Sequence, residues 1–369
     1  MVDTEIKWGY EHVMTPDIAK LDLYKKSGHY PYYKETMYAP IDIDGEEFML
    51  RPMTCPHHFE LYLSEPRSYK DLPMRIAELA KLYRYELSGV LTGLIRVRSF
   101  CLADAHIVCA DEVQMKSEIS KALDLIDHVA GVFGLKIGEN YRYRLSLGDR
   151  ENKTKYFDDD KSWDEAENIL REALVERKAE FFEAKDEAAF YGPKIDIQMK
   201  KASGVEETAF TVQYDFVMPR RFNLVYTDHE GKEKLAMVVH RSSIGAIERI
   251  AAFLLEHFDG ALPVWLSPVQ VAVLPVSDKF ADYAKEIIGK LKEAGIRAEM
   301  GKDGESLGKK IMEAQKMKIP YMIVVGAKEK EEKTVTVRRR GEDKQEVLAI
   351  GDVVSEIRMK IDGRSLPTT

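Results

Sequence analysis

Hydrophobic and polar positions follow one pattern in the last third of the chain and another before it. Beyond Pro268, the short apolar runs "VQVAVLPV", "IRAEM" and "PYMIVVG" predict buried strands. Helical spacing in "ESLGKKIMEAQKM", "DVVSEIRMKI" and "DKFADYAKEIIGKLKEAG" predicts helices, the last one ending at Gly295. Strands separated by helices of this length predict a three-layer α/β domain, which "TVTVRRR" extends.

The earlier part of the chain is rich in strand-like runs that lack a helix between each pair. These runs are "EFMLRPM", "LIRVRSFCLADAHIVC", "KIDIQM", "ETAFTVQYDFVM" and "KLAMVVHRS". One long segment, "DEVQMKSEISKALDLIDHVAGVFGL", is an amphipathic helix. This succession predicts an α+β domain, in which helices flank one face of an antiparallel sheet. Gly260, Pro263 and Pro268 punctuate the end of this part, so we predict domains over residues 1–262 and 263–369.

Composition and charge narrow the possible functions. The 369 residues are 45% hydrophobic and 32% charged, and no apolar run reaches the roughly 18 residues of a membrane span. The first residues, "MVDTEIKWGY", lack the features of a signal peptide, and three cysteines do not suggest a disulfide framework, so we expect a reducing cytoplasm. The net charge of −8 excludes nucleic-acid binding by bulk charge and leaves only local basic patches.

The stretch "LADAHIVC" places two polar residues in a run that otherwise predicts a buried strand. Asp104 and His106 are two positions apart, so both side chains point to the same face. If Cys55 and His240 converge with His106, the three form a zinc site with an open, catalytic position. Their wide spacing does not establish this convergence, and ordinary core positions remain the alternative.

Three other segments carry candidate chemistry. In "LYRYELSGVLTGLIRVRSF", Arg84 and Glu86 precede a glycine-containing loop and Arg96 follows it, which suits recognition of phosphate or carboxylate. In "HRSSIGAIERI", we expect a strand to end at His240, a turn to follow, and Arg249 to open a helix where an anion would offset its charge. In "AFYGPKIDI", a lysine follows a turn signal. Solvated surface charges are the alternative for each segment.

Six segments, taken in order, resemble the threonyl-tRNA synthetases, a family of class II aminoacyl-tRNA synthetases. They are "GYEHVMTP", "SGHYPYY", "RPMTCPHH", "YRYELSGVLTGLIRVRSF", "AFYGPKID" and "HRSSIGAIER". The resemblance extends from about Tyr10 to Ile361 and implies a class II catalytic domain followed by an anticodon-binding domain. The family's three signature motifs correspond to the stretch ending at Pro16, to 84–100 and to 240–249.

The resemblance implies roles at the amino-acid pocket. Cys55, His106 and His240 match the ligands of one zinc ion per chain. Asp104 matches the aspartate that receives the threonine hydroxyl. The remaining positions that match the substrate-binding pocket are Met53, Tyr191 and Gln213.

The resemblance also implies an ATP site, in which Mg²⁺ accompanies the nucleotide. Arg84 matches the arginine that holds the α-phosphate and the amino-acid carboxylate, and Glu86 matches the carboxylate that reads adenine. Arg96 and Arg249 match the arginines that grip the triphosphate and adenine, and Thr211 falls at another position of this pocket.

The remaining implied roles concern catalysis and tRNA. His29 matches a catalytic histidine near the 3′ end of the tRNA, and Lys194 matches a catalytic pocket lysine. Glu305 and Arg338 match positions that contact the anticodon, whereas Gly304 replaces an expected asparagine. The stretches "VRRRG" and "PRR" would supply the local basic patches.

The implied activity is the ATP-dependent ligation of L-threonine to tRNA(Thr) through threonyl-adenylate, with zinc selecting threonine over valine. Serine keeps the hydroxyl and lacks only a methyl, so we expect it to be poorly rejected. The family's domain that hydrolyses seryl-tRNA has no counterpart here, and only "MVDTEIKW" stands where the long helix before the first motif helps to form a homodimer. We therefore expect a truncated chain whose dimerisation is open.

Two competing hypotheses remain at this point. A seryl or prolyl enzyme of the same class would share Arg84 and Arg249, but the set of Cys55, His106, His240 and Asp104 argues against the prolyl enzyme. A non-catalytic, tRNA-binding relative typically loses motif arginines or metal ligands, and none is lost here. ATP–pyrophosphate exchange separates a catalytic protein from a binding protein.

Overall fold

The computed structural model describes residues 1–201 and 204–367 and divides the chain into two compact units, Met1–Phe253 and Leu254–Thr369. The strands of the first unit are β1 (Glu11–His12), β2 (Ile18–Lys20), β3 (Ile41–Ile43), β4 (Glu46–Leu50), β5 (Met74–Tyr83), β6 (Ser99–Cys109), β7 (Tyr141–Ser146), β8 (Phe181–Ala184), β9 (Lys194–Lys200), β10 (Glu206–Asp215), β11 (Val225–Thr227), β12 (Glu233–Leu235) and β13 (Met237–Ala246). Its helices are α1 (Val2–Lys7), α2 (Leu21–Ser27), α3 (His29–Tyr32), α4 (Cys55–Leu63), α5 (Glu112–Val132), α6 (Asp160–Glu176), α7 (Met218–Phe222) and α8 (Ile247–His257), the last of which crosses the boundary.

A mixed, mainly antiparallel sheet forms the centre of the first unit. Within the described residues its eight strands follow the order β1-β5-β6-β13-β10-β9-β7-β8, and only the two outermost pairs are parallel. A smaller sheet, β2-β4-β3, and the β11–β12 hairpin accompany it. The antiparallel sheet with flanking helices confirms the predicted α+β class.

Strand register puts candidate residues of four strands in one row. His106 on β6 lies opposite His240 on β13, and His240 lies opposite Gln213 on β10. Lys194 on β9 lies opposite Gln213 on the other side of β10. Residues directly opposite each other point to the same face, as do residues two apart on one strand. Asp104 therefore shares the face of His106, as the pattern in "LADAHIVC" predicts.

The long helix α5 packs against β6, β10 and β13. It begins after Asp111, whose carboxylate accepts a hydrogen bond from the backbone N–H of Gln114 and so caps the helix. Its buried apolar residues recur at helical spacing: Met115, Ile119, Ala122, Leu123, Ile126 and Val129. Burial of this stripe against the sheet explains why the predicted amphipathic segment forms a helix.

The expected end of a strand at His240 is wrong, because β13 continues to Ala246. Its pairing with β6 shifts register between Ser242 and Ala246, which marks a β-bulge. Gly245 in this bulge has a φ of +65°, and a Cβ there would clash with the carbonyl oxygen of Ala209. The glycine thus permits a close approach of two strands and does not form a turn.

The second unit has a five-stranded sheet in the order β15-β14-β16-β17-β18 within the described residues. Its strands are β14 (Val271–Pro275), β15 (Ala298–Met300), β16 (Tyr321–Val325), β17 (Thr334–Arg339) and β18 (Gln345–Ala349), and its helices are α9 (Ala281–Glu293), α10 (Leu307–Lys316), α11 (Ala327–Glu332) and α12 (Ile350–Asp362). β14 is parallel to β15 and β16, whereas β17 and β18 extend the sheet antiparallel.

Helices cover both faces of this second sheet. One core cluster joins its strands to Ile287 of α9 and Val353 of α12, and a second cluster joins them to Ala314 of α10. All five residues of β14 are buried, as expected for a central strand covered on both sides. This arrangement confirms the predicted three-layer α/β domain. None of the helices in the described residues is long and apolar enough to cross a membrane.

Candidate active site and metal centre

A cavity of about 190 Å³ opens on the sheet face that carries the row of candidate residues. The sequence-predicted residues that line it are Met53, Cys55, Arg84, Glu86, Arg96, Asp104, His106, Tyr191, Thr211, Gln213, His240 and Arg249. Segments far apart in the chain thus converge on one cavity. His29 and Lys194 do not line it, and Glu305 and Arg338 belong to the second unit.

Cys55, His106 and His240 converge at one end of the cavity. One potential ligand atom from each side chain lies within 4.8 Å of the other two, and all three residues are buried. Cys55 is the first residue of α4, whereas the two histidines face each other across β6 and β13. A thiolate and two imidazoles are typical zinc ligands, and three protein ligands leave a position for substrate. The donor set therefore fits a catalytic zinc ion.

Each histidine of this group uses one ring nitrogen for a buried partner. His240 donates from Nε2 to Asp215 Oδ2 at 2.7 Å, and Asp215 also accepts the backbone N–H groups of Val217 and Met218. His106 Nδ1 lies 2.8 Å from Nδ1 of His58. These contacts leave Nδ1 of His240 and Nε2 of His106 for a metal, in the manner of partners that orient metal-binding histidines.

The electrostatics of this end favour a bound cation. Burial raises the pKa of the Cys55 thiol well above its usual value, and Asp104 and Asp215 raise it further. Burial also lowers the pKa of His106 well below its usual value, which keeps the imidazole able to act as a ligand. A thiolate at Cys55 therefore requires a neighbouring positive charge, which a metal ion supplies.

Asp104 lies beside the metal ligands and is 9% exposed. Its Oδ2 accepts a short hydrogen bond from the hydroxyl of Thr54, the residue before Cys55. Burial raises the pKa of this carboxyl. A buried carboxylate next to a metal site can accept a substrate hydroxyl, which would repay part of its desolvation.

Tyr191 and Gln213 form one wall of the cavity. The hydroxyl of Tyr191 donates to Gln213 Oε1 at 2.6 Å, and the Gln213 amide donates to Thr211 at 3.4 Å. The ring of Tyr191 stacks on the ring of His240, with centroids 4.9 Å apart. Stacking therefore fixes this wall to His240, and hydrogen bonds join the members of the wall to one another.

Arginines occupy the other end of the cavity. Arg84 follows β5, contacts Met53 Sδ at 3.2 Å and lies over the ring of Phe100. Arg249, in the first turn of α8, donates to the carbonyl oxygens of Ile95 and Thr208. Within the described part of the chain, neither these two arginines nor Arg96 forms an ion pair.

No ion pair among the described residues holds these guanidiniums. Burial lowers the pKa of the guanidiniums of Arg84 and Arg249, but such groups stay protonated at neutral pH. The carboxylates nearest in effect are Glu86, which raises the pKa of Arg84 and Arg249, and Glu207, which raises that of Arg249. Unpaired guanidiniums around a cavity suit a polyanion such as a triphosphate.

His29 and Lys194 are held outside the cavity. His29 is completely buried, accepts or donates at Nδ1 with the Ser27 hydroxyl, and has Nε2 3.7 Å from Cys55 Sγ. Burial lowers its pKa to about 3. Lys194 forms an ion pair of 3.1 Å with Asp196. The catalytic roles expected for His29 and Lys194 stay predictions.

The two residues expected at the anticodon differ in their surroundings. Glu305 pairs with Lys309 at 2.7 Å, and its Oε2 is buried without a hydrogen-bond partner in the described structure. Arg338, on β17, is half-buried and forms no side-chain hydrogen bond or ion pair with the residues described. Glu305 Oε2 and the Arg338 guanidinium could therefore still form hydrogen bonds with a partner molecule.

Most arginines of the two expected basic patches are engaged within the protein. Arg339 pairs with Glu356 and Glu346, and Arg340 donates to backbone carbonyls. The arginines of "PRR" behave similarly: Arg220 pairs with Asp159, and Arg221 donates to the carbonyl oxygen of Ser27. Arg338 is the member of these patches that remains available among the described residues.

Sequence reasoning missed Thr54, which donates to Asp104, and also His58 and Asp215, which contact the two histidines of the donor set. His58 had a usable signal, because it follows Cys55 by three residues and thus lies on the same side of α4. Asp215 had none, since only strand pairing brings it to His240.

Comparisons with known proteins identify the family of this chain. The family model described as "tRNA synthetase class II core domain (G, H, P, S and T)" matches residues 36–258, and "Anticodon binding domain" matches residues 270–360. The chain is 47% identical over 362 residues to a threonine–tRNA ligase of Geobacillus sp. (strain WCH70), which covers 98% of this chain and 56% of that protein. It is 48% identical over 369 residues to a threonine–tRNA ligase of Streptococcus agalactiae serotype Ia, which covers 100% of this chain and 56% of that protein.

A solved structure is similar over the whole chain. The RNA binding domain of threonyl-tRNA synthetase from Cryptosporidium parvum Iowa II superposes with a TM-score of 0.90 at 36% identity, covering 100% of this chain and 90% of that one. The chain thus spans about half the length of the curated relatives it matches and most of this solved domain.

Proposed function

Because the chain belongs to the class II aminoacyl-tRNA synthetase family, we propose that it forms the catalytic and anticodon-binding part of a threonine–tRNA ligase. One observation carries the proposal: a single cavity joins a Cys–His–His donor set beside Asp104 to arginines that lack ion pairs. The first end suits a small polar amino acid, and the second end suits ATP. The matching curated relatives carry the name threonine–tRNA ligase, which supports the choice of amino acid.

The first step would activate the amino acid. The threonine carboxylate attacks the α-phosphorus of ATP, the bond to the β-phosphate oxygen breaks, and threonyl-adenylate and pyrophosphate form. The attacking carboxylate is already ionised, so this step needs no general base. Arg84 would hold the carboxylate and α-phosphate, Arg96 and Arg249 the triphosphate, and Glu86 the adenine, with Mg²⁺ accompanying ATP. Positioning and charge neutralisation would supply most of the rate enhancement.

Cys55, His106 and His240 would hold one zinc ion. When bound, this ion supplies a Lewis-acidic position for the amino and hydroxyl groups of threonine. Asp104 would accept a hydrogen bond from the threonine hydroxyl, and Tyr191, Gln213 and Met53 would shape the pocket. Valine is nearly isosteric but offers no hydroxyl, so its binding would leave Asp104 unsatisfied.

The second step would transfer the amino acid to tRNA. The terminal ribose hydroxyl of tRNA(Thr) attacks the carbonyl carbon of the adenylate, and AMP leaves. We propose that His29 and Lys194 assist here, although reaching the substrate would require both side chains to leave their present partners. Glu305 and Arg338 of the C-terminal domain, over residues 263–369, would contact the anticodon. A homodimer is proposed from the family alone.

The proposal is tested by threonine-dependent ATP–pyrophosphate exchange together with zinc analysis of the whole chain. We expect exchange with threonine, weaker exchange with serine, none with valine, and about one zinc per chain. Exchange with serine or proline alone would favour the neighbouring enzymes of the class. Zinc binding without any exchange, but with tRNA binding, would favour a non-catalytic relative.

A further inference from the structure

A buried chain of hydrogen bonds leads away from the metal ligand His106. His58 Nδ1 lies 2.8 Å from His106 Nδ1, and His58 Nε2 lies 3.3 Å from Glu78 Oε2. All three side chains are buried, with exposed fractions of 1% for His106, 0% for His58 and 2% for Glu78. The rings of the two histidines meet edge to face, with centroids 4.8 Å apart. The chain is therefore shielded from water along its length.

Only one arrangement of protons satisfies this chain when His106 binds a metal. A metal-binding nitrogen carries no proton, so His106 would bind through Nε2 and carry its proton on Nδ1. His106 then donates to Nδ1 of His58, which must be an acceptor there. His58 consequently carries its proton on Nε2 and donates it to the carboxylate of Glu78. The Glu78 carboxylate can only accept, so it determines which group donates in both hydrogen bonds, from His106 to His58 and from His58 to Glu78.

Glu78 is itself anchored by buried partners. Its Oε1 accepts from Arg51 at 2.8 Å and from the backbone N–H of Thr15 at 3.2 Å. Its Oε2 accepts from the Thr15 hydroxyl at 2.7 Å. Arg51 also pairs with Asp17 at 3.0 Å and donates to the carbonyl oxygen of Lys81. Since each of these groups has several bonds, the carboxylate has little freedom to rotate.

We propose that His58 is a positioning residue of the metal centre, which holds the His106 ring with Nε2 toward Cys55 and His240. The inference rests on the proposed zinc site and deepens it. The two histidine ligands are then supported differently: Asp215 orients His240 directly, whereas Glu78 orients His106 through the imidazole of His58. Partners of metal ligands typically change metal affinity by about 10- to 100-fold when they are removed.

The neighbouring residue offers a matched control. His57 is also buried on α4, at 7% exposed, but its Nε2 bonds to the hydroxyl of Tyr24 and not to a metal ligand. His57→Leu and His58→Leu therefore remove a buried imidazole from adjacent positions of one helix. His58→Asn retains a side-chain oxygen near the position of Nδ1, which can still accept from His106.

The experiment compares zinc affinity in the whole chain, by competition with a chromophoric chelator, and the absorption spectrum of the cobalt-substituted protein. We expect His58→Leu to weaken zinc binding by about 10- to 100-fold and to shift the cobalt spectrum, His58→Asn to recover most of the affinity, and His57→Leu to change affinity by less than about 3-fold. Equal affinity and an unchanged spectrum in His58→Leu would overturn the positioning role.

Two further outcomes keep this inference separate from the proposed function and from misfolding. If the unmodified chain binds no zinc, the zinc site itself fails and the role of His58 falls with it. If His58→Leu does not fold, long-range ¹H–¹⁵N spectra of the unmodified, zinc-loaded chain decide the question. A proton on Nε2 of His58 supports the proposed arrangement, and a proton on Nδ1 overturns it.

Discussion

The two ends of the candidate active site satisfy their polar groups in opposite ways. At the metal end, Asp215 and His58 each occupy one ring nitrogen of a ligand histidine. At the opposite end, which we call the phosphate end, the three arginines Arg84, Arg96 and Arg249 form no ion pair within the described structure. Internal bonds orient the first end before substrate arrives, whereas the second end keeps its cationic groups for the ligand. The contrast shows that one cavity can combine side chains that are oriented in advance with cationic side chains that have no ion-pair partner in the protein.

The largest effect is expected at the metal end, from Cys55→Ala. The substitution removes the one thiolate of the donor set, so we expect loss of zinc and, with it, loss of nearly all threonine-dependent exchange. Cys109→Ala is the matched control, because Cys109 is equally buried but lies outside the donor set. If Cys55→Ala retained one zinc per chain, Cys55 would not be a required ligand, and the assignment of this end of the cavity as a metal site would be contradicted.

At the phosphate end, Arg84→Ala should separate catalysis from metal binding. Loss of a group that stabilises developing charge costs about 10²- to 10³-fold in rate, so exchange should decrease by that factor while zinc content stays unchanged. Steady-state exchange and metal analysis on the same preparation measure both. Arg142→Ala, which removes an exposed arginine paired with Glu206, should leave exchange as it is. Loss of zinc in Arg84→Ala would show that the two ends are not independent.

Asp104→Asn tests the amino-acid pocket between these two ends. Replacing the carboxylate weakens a hydrogen bond to a charged acceptor by about 1.5–3 kcal/mol, which corresponds to a loss of roughly 10- to 100-fold in kcat/KM for threonine. Valine forms no such bond and is expected to support no exchange, so its inhibition constant against threonine should not rise, and the difference in affinity between threonine and valine should narrow. Competition between the two amino acids in the exchange assay measures this difference, and an unchanged difference would contradict the assigned role.

The smallest effect is expected in the second unit, from Arg338→Ala. A base-reading arginine contributes about 1–3 kcal/mol, so kcat/KM for aminoacylation should decrease by roughly 10-fold. Exchange does not use tRNA and should remain unchanged. Arg358→Ala removes an exposed arginine that already pairs with Asp362 and serves as the control. Equal aminoacylation by both variants would argue against contact between Arg338 and the anticodon.

Local sequence patterns were sufficient to predict a helix or strand where buried apolar residues recur at regular spacing along it. The apolar positions of α5 and α9 and the continuous run of β14 predict their structures directly, because each buries a regular stripe or both faces. The helix α6 was missed although its sequence carries the same signal, because the buried residues Trp163, Ala166, Leu170 and Leu174 recur at helical spacing among charged residues. Gly245 was misread as a turn because a glycine in a bulge has the same sequence signal.

The amino-acid sequence by itself determined the fold class, the strongly periodic elements, and which residue types were available for chemistry. It did so because periodicity and the six motifs are local properties of the chain. Only the tertiary structure decided that Cys55, His106 and His240 converge, that Asp215 and His58 orient the histidines, and that four of the five patch arginines are engaged internally. The reason is that strand register and helix packing join residues such as His240 and Asp215, 25 positions apart, and Arg221 and Ser27, 194 positions apart, and a local pattern does not encode such contacts.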